Sequence, residues 1–505
     1  MTTQAVLGLK NNWQQFTLLV VINALVGAMV GMERTIFPEF AESQFGVISK
    51  TALLGFIAAF GLSKALTNYL SGQWANKWGR KNVLSLGWLL AIPVPLILLY
   101  ADQWIWVIAV NVLLGISQGF TWSSTIVMKI DLVGEKERGL AMGLNEFSGY
   151  LAVGLMALLT GYLAQHYGVV PYPFYAGLAV AIAGFLLTLF WVKDTGSHVK
   201  IENQDNNAPN LSHVFLDTTL RNKTLSSITQ AGLINNLNDG MIWGLLPVYL
   251  ISLHFDAQSI AAIVSLYPMV WGVSQLITGK MGDVYSRKKM MTAGMALQGI
   301  AILALTLASS YPIMIFLSIM LGLGTALVYP TFLSSIASAV SPIQRAESLG
   351  TFRLWRDLGY VFGALFSGIV ADIFGTAPAI FVVGVLTLIS ALIIQIRMPD
   401  ISKNCIEAEE VVKALSKNKK VLIADVRTEE EYNQFHIPGS VHIPPTVFLS
   451  VKEKLEGYYL IVTTCGKGGG RSEVAATQLQ QMGISARWLC GGTIGWRENI
   501  IKTTS

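Results

Sequence analysis

Charged residues are scarce in this chain of 505 residues. Only 13% of them are Asp, Glu, Lys or Arg, whereas 53% are hydrophobic. A soluble domain of ordinary composition carries about 25% charged residues, so the shortage excludes a wholly soluble protein and indicates a bilayer. The shortage ends near residue 400, where KNCIEAEEVVKALSKNKKVLIADVRTEEEYNQ is dense in charge. We therefore place a domain boundary at 398–406.

Cysteine is scarce as well. The chain has three, Cys405, Cys465 and Cys490, and none lies in the apolar part of the sequence. In a reducing cytoplasm we do not expect disulfides to be structural. The nucleotide-binding pattern GxxxxGK[ST] is absent, which excludes ATP bound in that way as an energy source. We also expect no metal, no cofactor and no nucleic-acid partner.

Long apolar runs fill the first four fifths of the chain. Each has about the 20 residues that a helix needs to cross a bilayer. We predict membrane helices at 16–38, 50–73, 83–100, 104–128, 139–166, 172–193, 227–252, 258–281, 289–308, 311–339, 347–371 and 377–397. The polar segment 194–226 divides them six and six. The predicted domains are a first half (1–193), a central loop (194–226), a second half (227–397), a linker (398–406) and a soluble domain (407–505).

Basic residues mark one side of this arrangement. The opposite loops YADQW, HYGVVPYP, SLHFDAQS, SSYP and FGTAPA contain no Lys or Arg. The alternate loops hold Lys77, Arg80, Lys81, Lys136, Arg138, Lys193, Lys200, Arg221, Lys223, Arg287, Lys288, Lys289 and Arg345. Because Lys and Arg concentrate in cytoplasmic loops, we predict that both termini, the central loop and the soluble domain are cytoplasmic. The protein would be a multi-pass protein of the cell inner membrane.

The two halves repeat each other. GYLAQHYG (161–168) recurs as GIVADIFG (368–375), and SGQWANKWGRK (71–81) recurs as TGKMGDVYSRK (278–288). Both pairs are offset by 207 residues. An internal repeat of six helices is typical of transporters built from two pseudo-symmetric bundles around a central cavity.

The second repeated pair resembles the loop 2–3 signature of the major facilitator superfamily. Its two copies contain Gly72, Asn76 and Arg80, and Gly279, Asp283 and Arg287. With the helix count, the resemblance covers about residues 1–397 and implies an all-α membrane bundle that works by alternating access. It also implies that these residues brace the cytoplasmic side in one of two states. Asn76 stands where the family usually has Asp, so we expect a weaker first brace.

Ionisable and polar side chains occur within several predicted helices. Such residues are costly in a membrane, so they usually face the bundle interior and mark a pathway. Our candidates for the transport cavity are Glu33, Arg34, Lys64, Glu146, Asn235, Asp239, Arg353 and Arg356. The resemblance implies that their helices line or flank the cavity. The alternative is that some form fixed ion pairs, such as Glu33 with Lys64, or Arg356 with Asp357 through neighbours.

The signs of these side chains suggest a class of substrate. Four are cations, and arginine binds carboxylates and oxyanions through a planar fork, which favours an anionic or zwitterionic solute. The carboxylates Glu33, Glu146 and Asp239 are candidates for coupling to a proton gradient, by symport or antiport. The helix sequence GLNEFSGYLAVGLMALLTG lacks the glycine-proline signature that antiporters of this superfamily often carry. This argues against a drug antiporter without excluding export.

The C-terminal sequence alternates strands and helices. KKVLIADVRTEEEY indicates a strand and a helix start, YYLIVTTC a strand, RSEVAATQLQQMG a helix and ARWLC a last strand. This pattern predicts a small α/β domain with a mainly parallel sheet. Cys465 falls at the carboxyl end of a strand, where open α/β sheets place their ligand sites.

This region resembles the rhodanese domain over about residues 407–500. The resemblance rests on Asp425-Val426-Arg427, HIPGSVHIP, Cys465 with Arg471 and Ser472, and LCGGTIGW. It implies that Cys465 is the catalytic nucleophile that carries sulfane sulfur, with Arg471 and Ser472 beside it. We predict that loop N–H groups point at a thiolate, persulfide or oxyanion on Cys465. The loop residues are Gly466, Lys467, Gly468, Gly469 and Gly470.

The length of this loop leaves its chemistry open. Five residues separate Cys465 from Arg471, whereas single-domain rhodaneses commonly have four. A longer loop resembles the phosphatases and arsenate reductases of the same fold and suits a tetrahedral oxyanion. The extra residue is glycine, which can also leave a sulfur-sized pocket, and we favour sulfur chemistry. Cys490 could resolve a persulfide on Cys465 or simply be buried in a strand.

The sequence therefore predicts a secondary active transporter of a small anionic or zwitterionic solute, with a rhodanese-like domain whose Cys465 carries sulfane sulfur. Its partners would be a small-molecule substrate, a proton or other ion gradient, the lipid bilayer, and a sulfur donor or acceptor thiol. The alternative is an efflux transporter of an unrelated solute. The tail would then be a persulfide or oxyanion sensor, or a phosphatase- or arsenate-reductase-like module. Whether the tail is a sulfurtransferase enzyme stays open here.

Overall fold

A computed structural model gives the architecture of the chain. It describes residues 6–46, 50–134, 137–204, 210–399, 405–416, 420–448, 450–466 and 468–497. Only the backbone is described for residues 33–39, 41–43, 50–58, 204, 257–258, 261, 284 and 481. The chain divides into two compact units, one within residues 1–202 and 211–398 and one within 203–210 and 399–505.

The first unit is a helical bundle. Its helices and those of the central loop are α1 (Trp13–Phe45), α2 (Lys50–Trp78), α3 (Arg80–Ala91), α4 (Pro93–Tyr100), α5 (Trp104–Val133), α6 (Arg138–Tyr167), α7 (Tyr172–Trp191), α8 (Gly196–Gln204), α9 (Val214–Leu216), α10 (Lys223–Ser252), α11 (Ala257–Val284), α12 (Arg287–Leu305), α13 (Tyr311–Ala339), α14 (Arg345–Phe374) and α15 (Thr376–Arg397). Each predicted membrane segment except the third coincides with one long helix. The third is divided into α3 and α4 before Pro93, because proline has no N–H to continue the helical hydrogen bonds.

Apolar composition supports membrane crossing for most of these helices. Counting α3 and α4 together, nine helices of the described chain are long and apolar enough to span a bilayer. Among the residues whose side chains are described, α2, α10 and α12 do not meet this criterion. In α10 the polar residues Asn235, Asn238 and Asp239 lower the hydropathy, and all three are buried within the bundle.

The two halves pack through equivalent helix crossings. Helix α2 packs against α14, and α6 packs against α11. A Cβ on Gly72 would lie 2.4 Å from the carbonyl oxygen of Ala346, and one on Gly143 would lie 2.3 Å from that of Gln275. Glycine is therefore required at both crossings, which bring the backbones into contact. They lie at the end of the bundle where α2 meets α3 and α11 meets α12, called the basic end below.

Helices α6 and α11 diverge away from the basic end. Two turns along α6 and about one turn along α11, a Cβ on Gly272 would come only to 4.0 Å from the Cβ of Tyr150. Farther along α6, a Cβ on Gly154 would meet no atom of the described residues within 4 Å. The basic end is closed, and this pair of helices opens toward the other end.

The second unit is an α/β domain, as predicted. Its strands are β1 (Cys405–Ile406), β2 (Val421–Asp425), β3 (Val441–His442), β4 (Leu460–Thr464) and β5 (Ala486–Leu489), and its helices are α16 (Ala408–Ser416), α17 (Glu429–Gln434), α18 (Lys452–Leu455) and α19 (Arg471–Gln481). The strands form one parallel sheet in the order β1-β5-β4-β2-β3. Two apolar clusters make its core. The sheet begins at Cys405, inside the segment interpreted as a linker, because Cys405 pairs with Trp488 of β5.

Candidate functional site

A buried carboxylate on α14 organises the centre of the bundle. Asp357 lies 3.1 Å from Nη1 of Arg356 and 3.9 Å from Nζ of Lys64. It also accepts hydrogen bonds from Asn68 Nδ2 at 2.6 Å and from Asn236 Nδ2 at 3.4 Å. Lys64 is thus paired across the two halves. Arg356 contacts Asp357 directly, whereas the fixed-pair alternative had this pairing run through neighbours. The transport roles of Lys64 and Arg356 stay predictions.

Aromatic rings surround these cations. Nζ of Lys64 lies 5.2 Å from the ring of Trp122, and the guanidinium carbon of Arg356 lies 4.0 Å from the ring of Tyr329. The rings of Tyr150 and Trp271 are 4.2 Å apart. Cations over aromatic faces are stabilised by the ring quadrupole. These aromatics are not among the predicted cavity residues, although Trp122 and Tyr329 are separated by the same 207 residues as the repeats.

Two other buried carboxylates are bonded to neutral groups. Glu146 accepts hydrogen bonds through Oε1 from Asn145 Nδ2 at 2.6 Å and from Trp122 Nε1 at 3.3 Å. Asp239 accepts a short hydrogen bond from the hydroxyl of Tyr267. Neither carboxylate lies within 4.0 Å of a basic group among the residues described. Each can therefore gain a proton without breaking an ion pair.

Arg353 differs from the other cations of the cluster. Its side chain is buried, with 1% of its surface exposed. Neither Nε nor Nη1 finds a hydrogen-bond partner within the described chain, and no described carboxylate lies within 4.0 Å. A buried donor without a partner is costly. Asn235 is similar, since both its amide atoms are buried and lack a partner in the described structure. The side chains of Glu33 and Arg34 lie outside the described residues.

The signature residues contact the opposite half at the basic end. Asp283 accepts hydrogen bonds from Gly139 N at 2.7 Å and Leu140 N at 2.9 Å, which places a carboxylate at the N-terminus of α6. That placement is favoured by the helix dipole. Asn76, its repeat counterpart, instead donates to the carbonyl of Ile343 at 2.9 Å. An amide can donate where a carboxylate can only accept, so the substitution reverses the polarity of this contact.

The signature arginines make matching backbone contacts. Arg80 Nη1 donates to the carbonyl of Ala75, and Arg287 Nε donates to that of Gly282, each at 3.1 Å. The two acceptors are also 207 residues apart. These contacts hold the loops that begin α3 and α12. The bracing role itself stays a prediction.

In the second unit, Cys465 follows the central strand β4 and is buried. Its Sγ lies 3.2 Å from the carbonyl oxygen of Gly469 and 3.2 Å from Oγ of Ser472. Ser472 therefore contacts the sulfur, and its catalytic role stays a prediction. In the described part of the loop no N–H donates to the sulfur, which differs from the predicted arrangement. Lys467 lies outside the described residues.

Three successive glycines explain the loop's form. Gly468, Gly469 and Gly470 have φ of 73°, 73° and 49°, a left-handed region that other residues rarely adopt. This turn directs the Gly469 carbonyl toward the sulfur. A Cβ on Gly468 would lie 2.6 Å from the backbone nitrogen of Gly491. The LCGGTIGW segment therefore packs directly on the loop, and the Thr493 N–H donates to the Cys465 carbonyl at 2.9 Å.

Arg471 points to an acid on the neighbouring helix. Its Nη1 and Nη2 lie 2.6 and 2.8 Å from the two carboxylate oxygens of Glu431. These hydrogen bonds lower the pKa of Glu431 to about 2. Glu431 also completes a capping box with Thr428 at the start of α17. The charge of Arg471 is thus partly offset by Glu431 rather than directed wholly at Cys465.

A buried ion pair lies at the end of β2. Arg427 bonds Asp425 through Nε at 2.9 Å and Nη2 at 2.7 Å. Nη2 also donates to the carbonyl of Phe435. The Asp-Val-Arg motif therefore connects the end of β2 to Phe435, the residue before the HIPGS segment.

Cys405 and Cys490 form a disulfide, with Cα atoms 5.4 Å apart. The expectation that no disulfide would be structural is wrong for this pair. Pairing of β1 with β5 brings the two residues together, which spacing along the chain did not show. The carboxylate of Glu407 lies within 4.8 Å of both sulfurs, so the reduced pair would offer three metal ligands. Cys490 is therefore engaged by Cys405, which leaves Cys465 as the free thiol of the domain.

Two family profiles match the chain. The Major Facilitator Superfamily profile matches residues 18–227 and 228–428. The chain belongs to the major facilitator superfamily. The Rhodanese-like domain profile matches residues 407–499 of this facilitator, and the fused architecture agrees with the prediction.

Curated relatives and solved structures match the facilitator part. "Multidrug resistance protein MdtG" of Yersinia enterocolitica is 25% identical over 393 residues, covering 75% of this chain and 92% of the relative. MdtG of Proteus mirabilis is 25% identical over 378 residues, covering 72% and 91%. The structure of the human organic anion transporter MFSD10 aligns with a TM-score of 0.62 at 16% identity, covering 76% of this chain and 99% of that one.

The structure of the proton:xylose symporter XylE bound to 6-bromo-6-deoxy-D-glucose aligns with a TM-score of 0.60 at 13% identity, covering 77% and 97%. These structural likenesses support the fold of the facilitator part. The protein is a secondary transporter and a multi-pass membrane protein.

Proposed function

We propose that this facilitator moves a small organic anion or zwitterion by alternating access, and that Arg353 binds its negative group. The observation that carries the proposal is the contrast among the buried cations. Lys64 and Arg356 both lie within ion-pair distance of Asp357, whereas Arg353 has buried donors without a described partner and no described carboxylate within that distance. A substrate carboxylate or oxyanion would satisfy the planar fork of Arg353.

Proton coupling would use Asp239 and Glu146. Both carboxylates are buried, and both are bonded to neutral donors. Ionisable groups of this kind inside membrane helices mark proton relays. Both termini and the rhodanese-like domain would be cytoplasmic, as the basic loops predict.

The test is a ligand screen on the full chain in proteoliposomes. A panel of small organic anions and zwitterions is offered under an imposed pH gradient, with uptake and export both recorded. Arg353→Ala should lose at least about tenfold in apparent affinity for any anion that is moved, which corresponds to ~1.4 kcal/mol. Arg221→Ala, an exposed arginine of the central loop, is the matched control. Unchanged affinity in Arg353→Ala would reject the assignment.

A second candidate is efflux of aromatic or amphipathic compounds. The observation that favours it is a cluster of aromatic rings in mutual contact, which contains Trp122, Tyr150, Trp271 and Tyr329. The MdtG relatives are named for multidrug resistance. If lipophilic cations are exported while no anion moves, this candidate replaces the first.

For the rhodanese-like domain, we propose that Cys465 accepts sulfane sulfur. The Cys465 thiolate attacks the outer sulfur of thiosulfate, a new S–S bond forms, the S–S bond of thiosulfate breaks, and sulfite leaves with the electron pair. The persulfide then gives its outer sulfur to cyanide or a thiol, which restores the thiolate. Ser472 is placed to hold the sulfur through its hydroxyl.

This activity is measured on the full chain in detergent with thiosulfate and cyanide. Cys465→Ser should abolish thiocyanate formation, whereas the double variant Cys405→Ser, Cys490→Ser should retain it. Hydrolysis of a phosphate ester or reduction of arsenate without thiosulfate turnover would favour the oxyanion alternative. Transport that responds to persulfide only when Cys465 is present, without turnover, would make the domain a sensor.

A further inference from the structure

Two equivalent arginines reach across the midline of the basic end. Arg138 begins α6 and Arg345 begins α14, and they are 207 residues apart. Arg138 donates to Ser338 Oγ at 2.9 Å, and Arg345 donates to Asp131 Oδ1 at 3.3 Å. The acceptors are likewise 207 residues apart, in the last turns of α13 and α5. Each arginine therefore contacts the opposite half, and the two contacts are related by the internal pseudo-symmetry.

One carboxylate lies between these arginines. Glu202 of α8 pairs with Arg138 Nη2 and accepts from both terminal nitrogens of Arg345, at 2.9 and 2.7 Å. All three side chains are buried. Burial alone would raise the pKa of Glu202, but Arg345 and Arg138 together lower it, so the carboxylate is charged at neutral pH. A single acid thus bonds the two halves at once.

The central loop supplies this acid through one face of α8. Thr195, Val199 and Glu202 are buried at helical spacing, while Lys200 on the other face is exposed. Thr195 Oγ1 donates to Asp131 Oδ2 at 2.9 Å, which fixes the start of the helix beside the arginine pair. The loop that joins the halves is therefore itself part of the contact between them.

We propose that Glu202 is a latch, a positioning residue that holds the basic end closed and must release at least one arginine before that end can open. The proposal rests on the alternating-access function above. If the halves separate, Glu202 cannot keep both Arg138 and Arg345. Removing one partner of a buried ion pair strongly destabilises the arrangement, because the remaining charges are left uncompensated. Without Glu202, the closed conformation of the basic end would therefore be destabilised.

The test measures the distance between the two halves at the basic end. Spin labels are placed by Asn82→Cys and Lys289→Cys, exposed positions 207 residues apart, in the full chain with its three native cysteines changed to Ser. In nanodiscs the parent should show one short distance. Glu202→Gln, which keeps the size and removes the charge, should add a longer distance and raise the ratio of open to closed about tenfold or more. Lys200→Gln on the exposed face of α8 should match the parent.

A second variant separates failure of the latch from failure of alternating access. Gly279→Trp places a bulky group in the α6–α11 crossing and should force the longer distance. If it does so while Glu202→Gln matches the parent, the latch is overturned and alternating access stands. If neither variant gives the longer distance, alternating access itself fails. A lower unfolding temperature for Glu202→Gln without a second distance would show a structural role and also overturn the latch.

Discussion

At the scale of single residues, the bundle centre separates charges that are paired from charges that are available. Asp357 binds Lys64 and Arg356, while Asp239 has a tyrosine hydroxyl as its described partner. A carboxylate bonded to a neutral donor can take up a proton during transport at lower cost than one held between two cations. Two aspartates of the same bundle therefore have different expected roles, because Asp357 is bonded to cations and Asp239 to a neutral hydroxyl.

Asp239→Asn tests this division. The amide keeps the size and the hydrogen bond to Tyr267 but cannot titrate. We expect pH-driven accumulation of substrate to fall at least about tenfold, or ~1.4 kcal/mol, while substrate exchange at equal pH continues. Both are measured in proteoliposomes, with Asp102→Asn, an exposed loop acid, as control. Loss of exchange to the same degree would mean that Asp239 is needed for binding instead of coupling.

The Glu431–Arg471 pair predicts a pH dependence of the rhodanese-like domain. The folded-state pKa of Glu431, about 2, is below the ordinary value of about 4.3. The pair therefore stabilises the domain above about pH 4.3, and this contribution is lost as the pH falls toward 2. Because both side chains are partly exposed, 27% and 35%, we expect Glu431→Gln to cost only about 0.2–1 kcal/mol at pH 7.

The measurement is thermal unfolding of wild type and variant in the full chain between pH 7 and pH 2. The difference between them should shrink to nothing at the acid end. Glu453→Gln, an exposed acid of α18, serves as control. A difference that stays constant with pH would show that the effect is not electrostatic.

At the scale of elements, the sequence predicts the helices well and their contacts poorly. Eleven of the twelve apolar segments each correspond to one long helix and the third corresponds to α3 and α4, because a run of about 20 mostly apolar residues is typical of a membrane helix. The cluster around Asp357 could not be assembled in the same way. It joins Asn68 and Lys64 of α2 to α14, and such partners lie nearly 300 residues away along the chain. The disulfide escaped prediction for the same reason.

Repeat symmetry nevertheless gives a prediction for an element contact. Asp283 caps α6, and by the 207-residue offset an acid at position 76 would face the N–H groups of Ala346 and Glu347 at the start of α14. Asn76→Asp should therefore stabilise the closed basic end by about 0.5–2 kcal/mol.

The readout is the labelled distance between positions 82 and 289. Asp283→Asn, which removes the existing cap, should move the distribution the opposite way. If Asn76→Asp opens the basic end, the hydrogen bond that Asn76 donates to Ile343 is the more important contact, and the symmetry argument fails.

At the scale of the whole molecule, the charge distribution among the loops predicts the orientation of the protein in the membrane. The basic loops predict that both termini and the rhodanese-like domain are cytoplasmic. A reporter active only in the cytoplasm should therefore be active when fused after residue 397 and inactive when inserted at 170, in a loop without Lys or Arg. Activity in the reverse pattern would invert the topology and place Cys465 in an oxidising compartment.

The central loop also has a consequence for how a protein with two repeated halves can arise. The two halves repeat each other, but a loop between two copies exists once. A side chain of that loop occurs only once, so it has to be shared by the equivalent residues of the two copies. Glu202 is shared in this way by Arg138 and Arg345. Two separate half-length chains would have the arginines and lack the acid. In this protein, covalent fusion of the copies therefore adds a charge that duplication could not supply.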